Sequence, residues 1–170
     1  MDCLAGAIII AMGSNLPGDY ASSTVLLEAA LSRFSSAGLH VVKRSSWWRS
    51  AAWPDPSKPE YLNGVVLVET SLPPDAVMTR ILALEVEFGR RRGQPNDPRT
   101  LDLDLIAYGR QVIDSPGLVL PHPRAHERRF VMGPLAEIAP DWVHPVHGGT
   151  AADWAVKASV GADAAPVVAR

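Results

Sequence analysis

The segment Leu101-Asp102-Leu103-Asp104-Leu105 alternates apolar and acidic residues with a period of two. Such alternation is typical of a β-strand that buries one face, here the leucine face. Asp102 and Asp104 then project from the other face, with their Cα atoms about 6.6 Å apart. Two neighbouring carboxylates repel each other unless a positive charge lies between them. The pattern therefore predicts either a solvated strand face or a strand that holds a cation.

Four arginines precede this strand within a ten-residue stretch: Arg90, Arg91, Arg92 and Arg99. A guanidinium offers a fixed fork of donors that matches phosphate oxygens. Mg²⁺ in proteins is commonly held by one or two carboxylates together with substrate phosphates. Asp102 and Asp104 can share two such ions, as two-metal sites require. These residues predict a site for a magnesium-bound polyphosphate, although at least one arginine of the 90–92 run is expected to be an ordinary helix end.

Composition places the chain among ordinary globular proteins. Of its 170 residues, 47% are hydrophobic and 20% are charged, and the formal net charge is −2. This length predicts one domain, which we place at residues 1–160, with 161–170 as a flexible tail. The small net charge argues against nucleic acid or a membrane surface as the main partner. We expect small-molecule substrates and a monomer, and the oligomeric state does not follow from the net charge.

Cys3 is the single cysteine of the sequence. It leaves no partner for an intramolecular disulfide or for a cysteine-based zinc cluster, and it favours a reducing, cytoplasmic location. The longest apolar run, residues 4–12, is too short to span a bilayer. A signal peptide is disfavoured because Asp2 stands where a basic residue is expected, so we interpret this run as a buried strand.

The apolar pattern predicts two β-α-β units in succession. Strands are predicted at 5–11, 39–49, 61–70 and around Asp102 and Asp104, with helices at 20–36 and 73–88. Two such units in one sheet predict an α+β protein with a ferredoxin-like βαββαβ core and a mainly antiparallel sheet. A doubly wound parallel sheet is disfavoured because no helix joins the second and third strands. Residues 50–60 and 89–98 are predicted to be long loops.

The rest of the chain carries weaker patterns. A short strand at 111–113 is predicted to form a hairpin with the preceding strand across Gly109. Short helices are predicted at 124–129, 133–138 and 151–158. The final residues, 161–170, have no pattern and are expected to be frayed.

The histidines after residue 120 divide into two groups. His122 lies between Pro121 and Pro123, in an extended backbone that suits a phosphate contact, although loop histidines often have no role. The other three are not spaced like a metal site in the sequence, and we interpret them as surface residues. They are His126, His144 and His147.

Tyr61, Asn63 and Phe130 suggest a second half of the site. Tyr61 and Asn63 lie on the same face of their predicted strand, two residues apart. A flat heterocycle that stacks between aromatic rings and is hydrogen-bonded by an amide is a plausible ligand. Taken singly, the two aromatic residues are equally compatible with ordinary core positions.

Several segments, in order, resemble the 6-hydroxymethyl-7,8-dihydropterin pyrophosphokinase family of folate biosynthesis. The block from Pro98 to Asp104 is highly specific, and the resemblance runs from about residue 8 to residue 142. The other matching segments are Ala11-Met12-Gly13-Ser14-Asn15-Leu16, Tyr61-Leu62-Asn63, Glu85 with Gly89-Arg90, Leu120-Pro121-His122-Pro123, Arg128, Phe130, Pro134-Leu135 and Glu137-Ile138.

The resemblance implies a ferredoxin-like α-β-α sandwich and transfer of pyrophosphate from MgATP to the pterin hydroxymethyl group, with release of AMP. It implies that Asp102 and Asp104 bind two Mg²⁺ ions and that the two long loops close over the substrates. The residues implied to contact the pterin are Ser50, Tyr61, Asn63, Asp102 and Phe130. Those implied to contact the nucleotide are Glu85, Arg90, Arg92, Arg99, Leu105, His122 and Arg128. Arg90 and Arg99 are also implied to be catalytic, with Asp102 and Asp104.

The chain departs from the family pattern beside this site. Asn96-Asp97 stands where many members carry Trp-Gly, and Gly117 stands where some carry arginine. We therefore expect fewer contacts to the nucleotide. Two other functions are compatible with the residues: a non-catalytic ferredoxin-like module that binds a regulatory nucleotide, and a metal-dependent phosphohydrolase. The second would need a water-positioning base that the sequence does not identify.

Overall fold

The computed structural model describes residues 3–52, 55, 57–89 and 100–167. The strands in these residues are β1 (Ile8–Ser14), β2 (His40–Arg44), β3 (Trp48–Ser50), β4 (Tyr61–Glu69), β5 (Asp102–Tyr108), β6 (Ile113–Ser115), β7 (Leu118–Leu120) and β8 (Ala165–Pro166). The α-helices are α1 (Ser23–Ser32), α2 (Pro74–Glu87), α3 (Arg129–Ile138) and α4 (Ala151–Lys157).

The main sheet has the strand order β5-β1-β4-β3-β8, and β2 pairs with the end of β4 that β3 does not reach. All of the pairings described in this sheet are antiparallel. With β2 and β3 taken together as the second strand, the order is that of a ferredoxin-like βαββαβ core. The predicted α+β fold is confirmed.

Helices cover both faces of the sheet because its central strand is apolar on both sides. All seven residues of β1 are buried. Ile8 and Ile10 face a core shared with α1 and α2, whereas Ile9 and Ala11 face a core shared with α3 and α4. The alternation of side chains along an extended strand places successive residues in different cores. The result is an α-β-α sandwich.

Two predicted strands differ from the observed ones, the first at its start and the second in its middle. The first begins at Ile8 and not at residue 5, because Cys3–Gly6 forms a 3₁₀ turn. The second, predicted as one strand at 39–49, is divided into β2 and β3. Between them the Oγ of Ser45 accepts the hydrogen bond of Val65 N–H, so that a side chain replaces a rung of the ladder.

The prediction that residues 111–113 form a hairpin with β5 across Gly109 is wrong. β6 pairs with β7 in a separate two-stranded sheet, and not with β5. Gly117 has a φ of +81°, a backbone conformation that favours glycine, and it supplies the reversal between these two short strands.

Residues 161–170 are predicted to lack regular structure, and this prediction is wrong for the part that the structure describes. Ala165–Pro166 forms β8 and pairs with β3, where Pro166 lies opposite Trp48. Ala164 is buried. Contacts made by the backbone, which leave no periodic pattern in the side chains, explain why the sequence did not indicate this strand.

None of the helices in the described part of the chain combines the length and the apolar character needed to cross a bilayer.

Candidate active site

β5 places the two aspartates at the polar face of an otherwise buried strand. Leu103 and Leu105 point into the core beneath α1 and α2, whereas Asp102 and Asp104 are half-buried on the opposite face. In the register with β1, Asp102 lies opposite Gly13 and Asp104 lies opposite Ala11. Both carboxylates line a cavity of about 330 Å³. The alternation in the sequence therefore predicted their shared face correctly.

The same cavity brings together the residues that were predicted for a flat heterocycle. Its lining includes Ser50 at the end of β3, Tyr61 and Asn63 on β4, and Arg128 and Phe130 at the start of α3. The Nδ2 of Asn63 donates to the Oγ of Ser50 at 3.3 Å. An amide, a hydroxyl and two aromatic rings thus converge on one cavity beside the two carboxylates.

Gly13 leaves room for the side chain of Asn63 in this cavity. It lies between Asn63 of β4 and Asp102 of β5 in the register of the sheet. A Cβ at this position would lie 2.8 Å from the Oδ1 of Asn63. A side chain at residue 13 would therefore displace the amide from the position it now holds.

A second cavity of about 260 Å³ adjoins the first at Asp104, which lines both. Leu105 and His122, two of the residues predicted to contact a nucleotide, also line this second cavity. The remaining lining residues are Met78, Gly117, Leu118, Val119 and Pro123. Asp104 consequently lies where the two cavities meet.

His122 is held as a neutral hydrogen-bond donor. Burial, reinforced by the nearby positive charge of Arg128, lowers the pKa of His122 to about 4. Its Nδ1 accepts the backbone N–H of Arg124 at 3.2 Å, so the proton of the neutral ring is on Nε2. Its own backbone N–H donates to the carbonyl of Ile106 at 2.8 Å, which ties residue 122 to β5. The imidazole can thus donate from Nε2 to an anionic oxygen.

Glu85 is placed differently from the other predicted nucleotide contacts. It lines neither of the two cavities and is buried, with 2% of its surface exposed. Its Oε2 accepts the backbone N–H of Leu103 at 2.8 Å. This contact holds the part of β5 that lies between the two aspartates.

The larger cavity is also lined by residues that the sequence analysis did not identify. Arg124 and Glu127 line it, and their position next to His122 and Arg128 in the sequence was an available signal. Val160 lines it too, and no sequence signal pointed to this residue because it reaches the cavity only through tertiary folding. Arg90, Arg92 and Arg99, together with Asn96-Asp97, lie outside the described residues, and their roles stay predictions.

The interpretation of the three late histidines as surface residues is wrong for His144, which is 3% exposed. His126, His144 and His147 form a cluster in which one ring nitrogen of each lies within 4.8 Å of the others, as metal-binding histidines can. However, the Nδ1 of His144 already accepts the backbone N–H groups of Val146 and His147, at 3.1 and 3.0 Å. Its neutral ring therefore carries a proton on Nε2, which is a donor and not a metal ligand.

Comparison with known proteins agrees with this geometry. Residues 9–140 match the family model of 7,8-dihydro-6-hydroxymethylpterin-pyrophosphokinase. A 2-amino-4-hydroxy-6-hydroxymethyldihydropteridine pyrophosphokinase of Synechocystis is 49% identical over 67% of this chain and 58% of its own length. The enzyme of the same name from Methylorubrum extorquens is 40% identical over 79% of this chain and 83% of its own length.

Solved structures share the fold at low sequence identity. The crystal structure of Plasmodium falciparum HPPK-DHPS wild type with pteroate aligns with a TM-score of 0.70 and 11% identity. The alignment covers 89% of this chain and 42% of that one. At this identity the likeness supports the fold alone.

Proposed function

We propose that this chain, which belongs to the 7,8-dihydro-6-hydroxymethylpterin-pyrophosphokinase family, transfers pyrophosphate from MgATP to the hydroxymethyl group of 6-hydroxymethyl-7,8-dihydropterin. The products are AMP and the pterin diphosphate. The observation that carries the proposal is that Asp104 lines both cavities. Two substrates bound in adjoining cavities would meet at the acidic pair.

The larger cavity is the proposed pterin site. Tyr61 and Phe130 offer rings for stacking, and Asn63 and Ser50 offer polar groups for the edge of a heterocycle. Because Asn63 already donates to Ser50 Oγ, its amide is oriented before the ligand arrives. Such preorganisation reduces the entropy lost on binding.

The smaller cavity is the proposed nucleotide site. Leu105 contributes an apolar contact, and His122 supplies a donor to phosphate oxygens. Arg128 supplies further donors from the wall of the larger cavity. Glu85 acts indirectly, through its hydrogen bond to Leu103. We assign further phosphate contacts to Arg90, Arg92 and Arg99, on the resemblance of their sequence to the family.

The donor set at the junction fits magnesium. Asp102 and Asp104 offer hard carboxylate oxygens from a cavity wall that leaves room for substrate phosphates, which is how proteins usually hold Mg²⁺. We propose two ions at this pair. When bound, magnesium would offset the negative charge that develops on the phosphate oxygens during transfer.

The chemical step joins the two substrates in line. The pterin hydroxyl oxygen forms a bond to the β-phosphorus and releases its proton to solvent, while the bond from the β-phosphorus to the α,β-bridging oxygen breaks. The bridging oxygen leaves with AMP. The cavity walls hold the attacking oxygen and the phosphate close together, and His122 donates a hydrogen bond from Nε2 to a phosphate oxygen.

The single cysteine supports a further proposal about the location of the protein, and the small net charge supports one about its partners. We place the protein in the cytoplasm as a monomer that acts on small molecules, without nucleic acid or membrane as a partner.

The test is an assay with ATP, Mg²⁺ and the reduced hydroxymethylpterin in which AMP is measured. We expect AMP to form only when the pterin is present. Equal AMP or phosphate without the pterin would instead indicate a phosphohydrolase. Binding of ATP with no turnover at all would indicate a nucleotide-binding module, and either outcome would overturn the proposal.

A further inference from the structure

Residues 160–167, which we call the C-terminal strap, contact two opposite walls of the larger cavity. At one wall, Val160 N–H donates to the carbonyl of Glu127 at 3.0 Å, and Arg129 N–H donates to the carbonyl of Val160 at 2.9 Å. These two bonds bracket Arg128. The strap therefore holds the backbone that carries Arg128 and Phe130 into the cavity.

Gly161 determines where the ring of Phe130 can lie. A Cβ at residue 161 would be 2.5 Å from Cδ1 and 3.2 Å from Cε1 of Phe130. Contacts this short between carbon atoms are strongly repulsive, since nonbonded carbons are stable at about 3.5–4.0 Å. The ring can occupy its place in the cavity lining only because residue 161 has no side chain.

At the other wall the strap is tied to the end of β3 and the residues after it. The Oδ2 of Asp163 accepts the backbone N–H of Ala51 at 2.8 Å, and Ala51 lines the cavity beside Ser50. β8 continues the sheet at β3, and Val167 N–H donates to the carbonyl of Trp47 at 2.8 Å. Both walls are thus joined by one short stretch of chain.

Arg129 fixes the middle of the strap. Its Nε donates to the carbonyl of Ala164 and its Nη1 donates to the carbonyl of Ala155, each at 3.0 Å. Its guanidinium also lies 5.8 Å from the centre of the Trp48 ring. The strap is therefore anchored from α3 and β3 together, independently of any ligand.

We infer that the C-terminal strap positions the pterin site, with Gly161 setting the ring of Phe130 and Asp163 setting the Ser50–Ala51 edge. This inference rests on the proposed function for the identity of the ligand. Gly161 and Asp163 are positioning residues: they act through Phe130 and Ala51. Stacking of a flat ligand depends on the ring position, so a displaced ring weakens pterin binding. The three atoms nearest to a Cβ at residue 161 all belong to Phe130, which does not line the smaller cavity.

The first experiment compares Gly161→Ala with Gly148→Ala. Both glycines have a left-handed backbone, with φ of +68° and +66°, but a Cβ at residue 148 would meet nothing within 4 Å. The two substitutions therefore share the backbone cost and differ in the contact with Phe130. We expect Gly161→Ala to raise the KM for the pterin about tenfold relative to Gly148→Ala, a loss comparable to one aromatic contact. The KM for ATP should change less than the KM for the pterin, because Arg128, whose guanidinium lies 5.8 Å from the centre of the Phe130 ring, is the assigned nucleotide contact that adjoins this ring.

A second pair of variants tests the other end of the strap. Asp163→Ala removes the acceptor of Ala51 N–H, whereas Asp163→Asn retains an oxygen in the same place. We expect faster hydrogen exchange at Ala51 N–H and a raised pterin KM in Asp163→Ala, and recovery of both in Asp163→Asn. If Gly161→Ala does not fold, this pair decides the inference.

A readout that needs no turnover separates this inference from the proposed function. The protein contains three phenylalanines, so labelling with 4-fluorophenylalanine gives three ¹⁹F signals. The Phe130 signal of the ligand-free protein should move in Gly161→Ala and stay in place in Gly148→Ala. If the wild-type protein makes no AMP, the proposed function fails, and the ¹⁹F shift still decides whether Gly161 sets the ring. An unmoved Phe130 signal, or equal pterin KM values in the two glycine variants, would overturn the inference.

Discussion

At the scale of single residues, the site depends on where Asp104 lies. Asp104 is half-buried and lines both cavities, whereas Asp102 lines only the larger one. Leu103 between them is a core residue. Substitution of either acid therefore changes the site while leaving the apolar packing of β5 in place.

We predict that Asp104→Asn lowers kcat by about a thousandfold or more, because a bound metal supplies several kcal/mol of charge stabilisation in phosphoryl transfer. Pterin-dependent AMP formation gives the rate, and thermal unfolding should be nearly unchanged. Asp114→Asn on the exposed part of β6 is the matched control and should keep full activity. Retention of activity in Asp104→Asn would remove this carboxylate from the metal site.

A second prediction at this scale concerns Gly13, whose Cβ would lie 2.8 Å from Asn63 Oδ1. In Gly13→Ala the amide must move, so the pterin should bind about tenfold more weakly, the equivalent of one misplaced hydrogen bond. Titration of the ligand-free protein with the pterin measures this directly. Unchanged pterin affinity would show that Asn63 is not one of its contacts.

At the scale of elements, β5 needs support because it pairs with β1 alone among the described strands. Glu85 of α2 provides that support by accepting the N–H of Leu103. The apolar pattern predicted both α2 and β5 well, but it did not indicate this polar link. Glu85 resembles a nucleotide contact in the sequence, whereas in the fold its carboxylate reaches the backbone of the strand.

We predict that Glu85→Ala lowers the free energy of unfolding by about 1–3 kcal/mol, because it leaves a buried N–H without its acceptor. Urea unfolding at neutral pH measures the loss. Glu87→Ala, two residues further along α2, is the control: its ion pair with Arg33 is solvent-exposed, so the change should be below about 1 kcal/mol. Equal losses in the two variants would contradict a special role for Glu85.

At the scale of the whole molecule, three layers are joined by polar contacts between distant parts of the chain. Glu137 of α3 accepts hydrogen bonds from Ser46 N–H and from Trp48 Nε1, which docks the helix layer on the sheet. The C-terminal strap pairs with β3 through β8, next to these contacts of Glu137. His144 is buried beside the rings of Trp142 and of Trp154 in α4, and its own ring caps the turn that follows it.

This burial predicts a pH dependence of stability. Burial lowers the pKa of His144 to about 4, with further contributions from His126, His147 and Arg110. Between the ordinary value of 6.5 and 4 the unfolded chain binds more protons than the folded one, so the free energy of unfolding falls as the pH falls through this range. His122 contributes in the same direction.

His144→Asn tests this pH dependence, since an amide oxygen can still accept the two backbone N–H groups. We expect proton uptake on unfolding at pH 5 to fall by about one proton, measured as the slope of unfolding free energy against pH. A slope equal to that of the wild-type protein would show that His144 is not the titrating group.

Much of the site could be predicted from local sequence because its key residues follow strand periodicity. The face shared by Asp102 and Asp104 follows from alternation, and the same holds for Tyr61 and Asn63. The histidine cluster could not be found this way, because His126 and His144 are 18 residues apart in the chain and meet only in the fold, where both rings contact Trp154. The division of the second strand depended on one side chain, Ser45, replacing a backbone rung.

The order of elements, the ferredoxin-like core and the chemistry of the acidic strand can be read from the amino-acid pattern, because periodic burial and side-chain type are local properties. The folded chain was needed to show that Asp104 joins two cavities, that Glu85 supports β5, and that Val160 and Gly161 return to the site. These features depend on contacts between residues that are remote in the chain. Their positions are set by packing and by backbone hydrogen bonds, which leave no period in the sequence.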